Sequence, residues 1–227
     1  MDVDVAGAAR LALEARLGEG AAENRFFPSL GNHDWRTPDA RPYLEYFALP
    51  GNERYYELVW GPLHLFALDS DPHEPDGIDS DSTQAQWLRE RLAASTSPWQ
   101  LVYMHHPPYS SGDHGSTPDL QWPFAEWGVD VVISGHDHHY ERLERDGIVY
   151  FVNGLGGNPH RYELRTELPG SEVRYNDEHG AMLVEATPER LELSFVTAGG
   201  REIDSRVLVA PAADRAPSTA PPVEAAD

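Results

Sequence analysis

Short apolar runs separated by polar turns are the main pattern of the chain, and they predict strands alternating with helices, followed by a run of strands. The last three apolar runs are separated by turns at Pro188 and at Gly199-Gly200, which predicts a small antiparallel meander. The fold class predicted from this order is α/β with mixed sheets. The predicted strands are residues 25–30, 54–60, 63–68, 99–104, 129–133, 147–152, 181–186, 191–197 and 203–209.

Four segments show helical patterns. Residues 5–17 are rich in alanine and leucine, residues 38–47 predict a loop and a short helix, and residues 118–127 predict a further helix. Apolar residues between 87 and 92 repeat at helical spacing, and Asp81 is the predicted N-cap of that helix, with Gln84 three residues later. Residues 69–81, which lead into this helix, are a polar acidic loop.

The sequence predicts one main domain. Residues 1–24 form a predicted helix and linker, residues 25–210 carry the strands, and residues 211–227 are rich in alanine and proline. This last composition has little apolar surface to bury, so the tail is predicted to be disordered.

Composition narrows the classes of function. The 227 residues include 38 acidic and 17 basic side chains, for a formal net charge of −21. This charge argues against nucleic acid or an anionic membrane surface as the main partner. There is no cysteine, which excludes thiol chemistry and disulfides. No apolar run has the length of a membrane span, and residues 1–5 lack the basic and apolar regions of a secretory signal.

Histidines follow three of the predicted strands, and this is the strongest chemical signal. Asn32 and His33 follow the first, His105 and His106 follow another, and residues 133–142 read Ile-Ser-Gly-His-Asp-His-His-Tyr-Glu-Arg. In an extended segment alternate side chains project to one side, so His136 and His138 are predicted to point together. Imidazole with a carboxamide oxygen suits zinc, iron or manganese. His114 is a further candidate to face the same centre.

These motifs resemble those of a known family. Gly-Asn-His-Asp at 31–34, Met-His-x-Pro-x-Tyr-Ser-Ser at 104–111 and Gly-His-x-His-x-Tyr-Glu-Arg at 135–142 look like the later motifs of calcineurin-like metallophosphoesterases. The purple acid phosphatase branch is the most similar, over roughly residues 25–198. The resemblance implies a four-layer αββα sandwich with mixed sheets, a two-metal centre at strand carboxyl ends, and hydrolysis of small phosphoric esters.

The resemblance also implies roles for individual residues. Asn32, His105 and His136 would ligate one metal ion and His138 the other. His33 and His114 would bind the phosphate and protonate the leaving oxygen, as catalytic and substrate-binding residues. His106 matches a variable position of the motif, and Arg142 is predicted to form a structural ion pair. The resemblance further implies a secreted or periplasmic parent protein.

The family's motif order begins with an aspartate-rich strand and a Gly-Asp-x-x-Tyr motif, and neither occurs in the 30 residues before Gly31. We therefore expect a sandwich without its N-terminal strands, an amino-terminally incomplete copy of a longer phosphoesterase with impaired activity. Two metal ions belong to the complete family members, and one is the expectation here. Without the bridging aspartate, two divalent cations would repel each other with less compensation.

Three hypotheses of function stay open at this point. The first is a metal-dependent phosphoric-ester hydrolase, complete in its parent form. The second is a non-catalytic protein of the same fold that binds one metal ion or a phosphate ligand. The third is a mononuclear zinc hydrolase that uses Asn32, His105 and His136, with water in the open position.

Overall fold

The computed structural model describes residues 26–210, and ten strands form two sheets. The helix predicted at 5–17 and the tail predicted at 211–227 lie outside the described residues. The seven-stranded sheet contains β1 Tyr56–Trp60, β2 Leu63–Ala67, β3 Trp99–Tyr103, β4 Val131–Ser134, β5 Tyr140–Arg145, β6 Ile148–Asn153 and β7 Ser171–Tyr175. The three-stranded sheet contains β8 Gly180–Ala186, β9 Arg190–Thr197 and β10 Glu202–Val209.

The large sheet is mixed. Its strand order is β1-β2-β3-β4-β6-β5-β7. Strands β2, β3, β4 and β6 are parallel neighbours, whereas β1 and β5 each run antiparallel to the strand beside them. Because the four parallel strands share one direction, the loops after them emerge at one edge of the sheet. The small sheet is the antiparallel meander predicted from the sequence.

The large sheet is buried on both faces. Val102 packs in a core with Leu88 of the helix that follows the acidic loop, while its neighbour Leu101 packs in a second core with Leu193 of the small sheet. The two positions face opposite ways because successive side chains of a strand alternate. Strands buried on both faces have continuous apolar sequences, which explains why the sequence pattern predicted these strands. The mixed α/β fold is confirmed, and helix, large sheet and small sheet are three layers of the expected sandwich.

Two of the predicted helices are present in the described range. Helix α1 is Arg41–Tyr46 and helix α2 is Thr83–Ala94. The predicted Asp81 cap of α2 is wrong by one position, because the Ser82 side chain accepts the hydrogen bond from the Ala85 N–H at 3.1 Å. None of the helices in the described range 26–210 combines the length and hydropathy that crossing a membrane requires.

The helix predicted at 118–127 is wrong. A single 3-10 turn, Pro118–Leu120, is followed by irregular chain and turns. Pro123 has no N–H to donate to the carbonyl of Asp119, and it disfavours helical geometry at Trp122. The Asp119 carbonyl instead accepts a hydrogen bond from the Trp122 indole at 2.9 Å.

Two strands escaped prediction, and one predicted strand is absent. Strands β5 and β7 carry too many charged residues to read as apolar runs. Arg142 of β5 pairs with Asp204 of β10 at 2.7 Å, which is the structural ion pair expected from the sequence.

Residues 26–30 are irregular, because hydroxyl groups bind their carbonyls in place of a neighbouring strand. Tyr43 and Tyr56 donate to Pro28 O at 2.8 and 2.5 Å, and Tyr103 donates to Phe27 O at 3.0 Å.

The acidic loop after β2 contains a buried pair of carboxyl groups. Asp69 is fully buried and Glu74 is nearly so. Burial raises the pKa of Asp69 to about 8, the backbone N–H of Asp71 opposes the shift, and the Glu74 carboxylate adds to it. The Trp35 indole donates to Asp69 Oδ2 at 3.0 Å, which connects this pair to the segment that follows His33.

Asp69 should make the stability of the protein depend on pH. Its ordinary pKa is 3.8. Between about pH 4 and pH 8 the folded state keeps a proton that the unfolded state releases, so the free energy of unfolding falls as pH rises through this window. The Asp69 contribution reaches at most about 1.4 kcal/mol per pH unit. In Asp69→Asn this dependence should disappear, whereas Asp119→Asn on the surface should keep it. Urea unfolding at several pH values measures both slopes, and equal slopes in the two variants would contradict the assignment.

Candidate metal centre

The loops that follow β3 and β4 meet at the carboxyl edge of the parallel strands. The ladder continues past the strands, since Met104 N–H donates to Ile133 O at 3.0 Å and Gly135 N–H donates to His105 O at 2.9 Å. These bonds place the histidines of the two motifs side by side. The Gly-Asn-His-Asp motif of residues 31–34 lies against them, held by the tyrosine hydroxyls that bind Pro28.

Three side chains converge on one point. His105 Nε2 lies 2.9 Å from Asn32 Oδ1 and 3.0 Å from His136 Nδ1. His105 is buried, and a Cβ on Gly31 would approach its Nδ1 to 2.9 Å, so only glycine leaves room for this imidazole. Two imidazole nitrogens and a carboxamide oxygen this close together fit one ion of zinc, iron or manganese.

His138 lines the same cleft and contacts a loop further along the chain. Its Nδ1 lies 2.7 Å from the carbonyl oxygen of His160, and its Nε2 lies 3.4 Å from Asn158 Nδ2. A carbonyl only accepts, so this bond puts the proton on Nδ1 and the lone pair on Nε2. The ring stacks on Tyr162 with centroids 4.1 Å apart. His138 therefore presents Nε2 as its potential ligand atom.

His33 and His114 are exposed and line the same cleft. Arg36 donates to His33 Nε2 at 3.0 Å. The His114 ring stacks on His136 with centroids 4.3 Å apart, and it meets the Tyr162 ring edge-on at 5.0 Å. The structure thus brings the six residues predicted from the sequence into one cleft. Their individual roles stay predictions.

A buried carboxylate beneath the cleft was missed by the sequence reasoning. Asp137 is fully buried and accepts hydrogen bonds from the Ser110 hydroxyl at 2.5 Å, His114 N–H at 2.9 Å and Gly115 N–H at 3.2 Å. It therefore fixes the loop that carries His114 beneath His136. The signal was visible as an acidic residue between two histidines, but its partners lie more than 20 residues away.

Glu141 supports the same loop from a second buried position. Its carboxylate accepts from Ser111 N–H at 2.8 Å and from the hydroxyls of Ser111 and Ser171 at 2.6 and 2.5 Å. Burial by itself would raise the pKa of Glu141. The hydrogen bonds from His139, Ser111 and Ser171 outweigh burial and hold that pKa below its ordinary value.

The extended geometry predicted for residues 136–139 is wrong, although the predicted sides are right. His136 adopts a left-handed conformation with φ of 63°, and the chain turns sharply there, with Asp137 N–H donating to Gly135 O at 2.7 Å. Such a φ is uncommon for residues other than glycine and costs about 1 kcal/mol or more. Turns in place of strand alternation send His136 and His138 into the cleft and bury Asp137 and His139.

His106, which matches a variable position of the motif and received no role from the sequence, lies beside the converging side chains. Its ring lies 4.7 Å from the His105 ring and 4.5 Å from the His136 ring, measured between centroids. Its Nδ1 lies 3.0 Å from the hydroxyl of Ser70, a buried residue in the loop after β2. His106 borders the histidine group from the side of the acidic loop.

The cleft itself has a volume of about 590 Å³ and is rich in imidazole. Asp34 is the one carboxylate among its lining residues in the described part of the chain, and Asp34 Oδ2 accepts the Gly31 N–H at 2.9 Å. A chain with net charge −21 thus has a cleft with little acidic character. The lining comprises Gly31, Asn32, His33, Asp34, Arg36, His105, His114, His136, His138, Gly154, Asn158, Pro159, His160 and Tyr162.

The chain is an α/β protein with histidine and carboxamide donors at the carboxyl edge of its mixed sheet. This donor set suits a metal ion. The sequence model of one family, calcineurin-like phosphoesterase, matches residues 6–140, more than half of the chain. This chain belongs to the calcineurin-like phosphoesterase family.

Its relatives include acid phosphatases. Purple acid phosphatase 22 of Arabidopsis thaliana is 30% identical over 173 residues, which cover 67% of this chain and 38% of that protein. Tartrate-resistant acid phosphatase type 5 of Oryctolagus cuniculus is 28% identical over 148 residues, 60% of this chain and 45% of that protein. The chain thus spans less than half the length of these curated relatives.

A solved structure shares the fold. The purple acid phosphatase isolated from yellow lupin (Lupinus luteus) seeds superposes with a TM-score of 0.68 at 20% identity, covering 87% of this chain and 42% of that chain. At this identity the likeness concerns the fold. It agrees with the mixed α/β architecture described above.

Proposed function

We propose that this chain is a metal-dependent phosphoric-ester hydrolase. The observation that carries the proposal is the approach of His105 Nε2 to within 3.0 Å of both Asn32 Oδ1 and His136 Nδ1. These donors lie in a cleft that also contains His33, His114 and Arg36. The family membership supports the same reaction class.

Charge supports an anionic substrate at this cleft. The negative field of the whole chain repels phosphate esters, so binding needs a local positive centre. Arg36 and a cation held by Asn32, His105 and His136 provide that centre, with Asp34 as the single carboxylate among the lining residues of the described range. A small phosphoric ester fits a cleft of about 590 Å³.

The metal ligands are proposed from the motif match and supported by the geometry. Asn32, His105 and His136 hold one ion, and His138 Nε2 faces the position of a second. When bound, a divalent or trivalent cation supplies positive charge for the phosphoryl oxygens and acidifies a water molecule. Zinc, iron and manganese all suit these donors.

The remaining histidines serve the substrate directly in this proposal. His33, which accepts a hydrogen bond from Arg36 at 3.0 Å, binds the phosphate together with that guanidinium. His114 holds a proton for the leaving oxygen, a general-acid task for which an imidazole is suited. The Tyr162 ring lies edge-on to His114 and lines the same cleft.

A second candidate function is a non-catalytic protein of the same fold that binds a single metal ion or a phosphate ligand. The observation that favours it is the composition of the described cleft, where Asp34 is the one lining carboxylate and bonds to Gly31 N–H. Two cations a few ångströms apart need anionic ligands between them. If the chain is an enzyme, we propose that the shortage of carboxylate ligands in the cleft impairs its turnover.

Metal content and turnover distinguish the two functions. The full chain is loaded with zinc, manganese or iron, and its ion stoichiometry and hydrolysis of 4-nitrophenyl phosphate are measured. His105→Ala and His136→Ala should each lower turnover by more than about 100-fold, because loss of a direct ligand should exceed the 10- to 100-fold cost of outer-shell changes. His73→Ala is the control, since His73 is exposed and bonds to Asp71 outside the cleft. One bound ion without turnover would support the non-catalytic function, and turnover unaffected by either variant would refute the hydrolase proposal.

A further inference from the structure

A third imidazole borders the converging pair. One nitrogen each of His105, His106 and His136 lies within 4.8 Å of the corresponding nitrogens of the other two. His105 is buried and the other two are partly buried. His106 was set aside in the motif match, and its position here calls for a role.

The orientation of His106 is set by Ser70. The Ser70 hydroxyl accepts the backbone N–H of His106 at 2.8 Å and lies 3.0 Å from the ring Nδ1. A hydroxyl oxygen has two lone pairs, so it can accept both the backbone N–H and an Nδ1–H. That tautomer leaves Nε2 with its lone pair as a ligand atom, which is the usual arrangement of a metal-binding histidine with a hydrogen-bonded second nitrogen.

We propose that His106 joins Asn32, His105 and His136 as the fourth ligand of one divalent cation. The inference rests on the proposed function, because the cation is the one assigned there to Asn32, His105 and His136, and it adds His106 to those ligands. In a tetrahedral zinc site with Zn–N of 2.0–2.1 Å, ligand nitrogens lie about 3.3–3.4 Å apart. The 3.0 Å separation of His105 Nε2 and His136 Nδ1 is close to that value, and a nitrogen of His106 lies within 4.8 Å of a nitrogen of each.

The proposed ligand set has a definite chemistry. Three neutral imidazoles favour zinc over magnesium or calcium, which prefer oxygen ligands. Because these imidazoles and the Asn32 carboxamide carry no charge, a cation bound there would keep its double positive charge. The site therefore attracts a phosphate ester or another small anion without a second cation.

The test uses the full chain, freed of metal by a chelator and titrated with Zn²⁺ against a chromogenic chelator. His106→Asn is the informative variant, because its amide can donate to Ser70 as Nδ1–H does but cannot replace Nε2. Zinc affinity should fall by about 100-fold or more in His106→Asn and in His136→Ala. It should be unchanged in His73→Ala. In the cobalt-substituted protein, the strong visible absorption of a four-coordinate site should weaken in His106→Asn.

The outcomes are separable from those of the proposed function. Equal zinc affinity and equal cobalt absorption in His106→Asn and the wild-type chain would overturn the inference, whatever the turnover. Failure of the wild-type chain to bind zinc would overturn it as well. Tight zinc binding that depends on His106, in a chain that hydrolyses no phosphate ester, would confirm the site and refute the hydrolase proposal.

Discussion

Gly154→Ala should destabilise the protein by about 3 kcal/mol, the upper end of the usual cost of overpacking. A Cβ at this position would lie 1.9 Å from the carbonyl oxygen of Asp137 and 3.2 Å from the Cα of His138. Both contacts are to backbone, so no side chain can rotate away. The loop that carries His136 and His138 must move, and zinc affinity should fall together with stability. Urea unfolding and a zinc titration of the folded variant measure the two effects.

Gly199→Ala is the matched control for this prediction. Its Cβ would meet the carboxylate of Glu178 at 2.9 Å, the far end of a flexible and partly exposed side chain. We expect a cost below about 1 kcal/mol there, with zinc affinity unchanged. If Gly154→Ala were as stable as Gly199→Ala, the loop that follows β6 would not support the loop of His136 and His138 as described.

The parts of the fold that the sequence predicted well are the strands buried on both faces. Residues 99–104 and 129–133 are apolar at nearly every position, because Leu101 and Val131 face the small sheet while Val102 and Val132 face helix α2. Strand β5 fails this criterion, since its fully buried Glu141 reads as a surface residue until Ser111 and Ser171 are known to bind it. Long-range partners of this kind leave no local pattern.

The sequence likewise predicted part of the candidate site. Histidines directly after strands identified the cleft, because carboxyl ends of parallel strands meet at one edge. The turn at His136 was not predictable, since a left-handed φ at a histidine depends on packing around it. Asn158, His160 and Tyr162 were also missed, because their loop reaches His138 from about 20 residues further along the chain.

Asp137→Asn should slow the hydrolysis of esters with poor leaving groups by about 100-fold, the cost of misplacing a reacting group by about 1 Å. The Asp137 carboxylate accepts from Ser110, His114 and Gly115, and an amide offers one acceptor oxygen where the carboxylate offers two. The loop that carries His114 should loosen, with a loss of stability of about 1–3 kcal/mol for each donor left without a partner. An alkyl phosphate and 4-nitrophenyl phosphate are compared, because the 4-nitrophenolate leaving group needs little protonation.

The role of Asp137 is to position His114, and a double-mutant cycle separates this role from a merely structural one. His114→Gln should show the same selective loss on the alkyl ester, and adding Asp137→Asn to it should cost little more, since both changes remove one function. Asp113→Asn is the control, because Asp113 lies in the same loop but is exposed and pairs with Arg165. Equal losses on both esters, or fully additive losses in the double variant, would mean that Asp137 stabilises the fold without orienting His114. A selective and non-additive loss would instead tie proton transfer at the leaving oxygen to a buried carboxylate that lies between the two histidines of the motif.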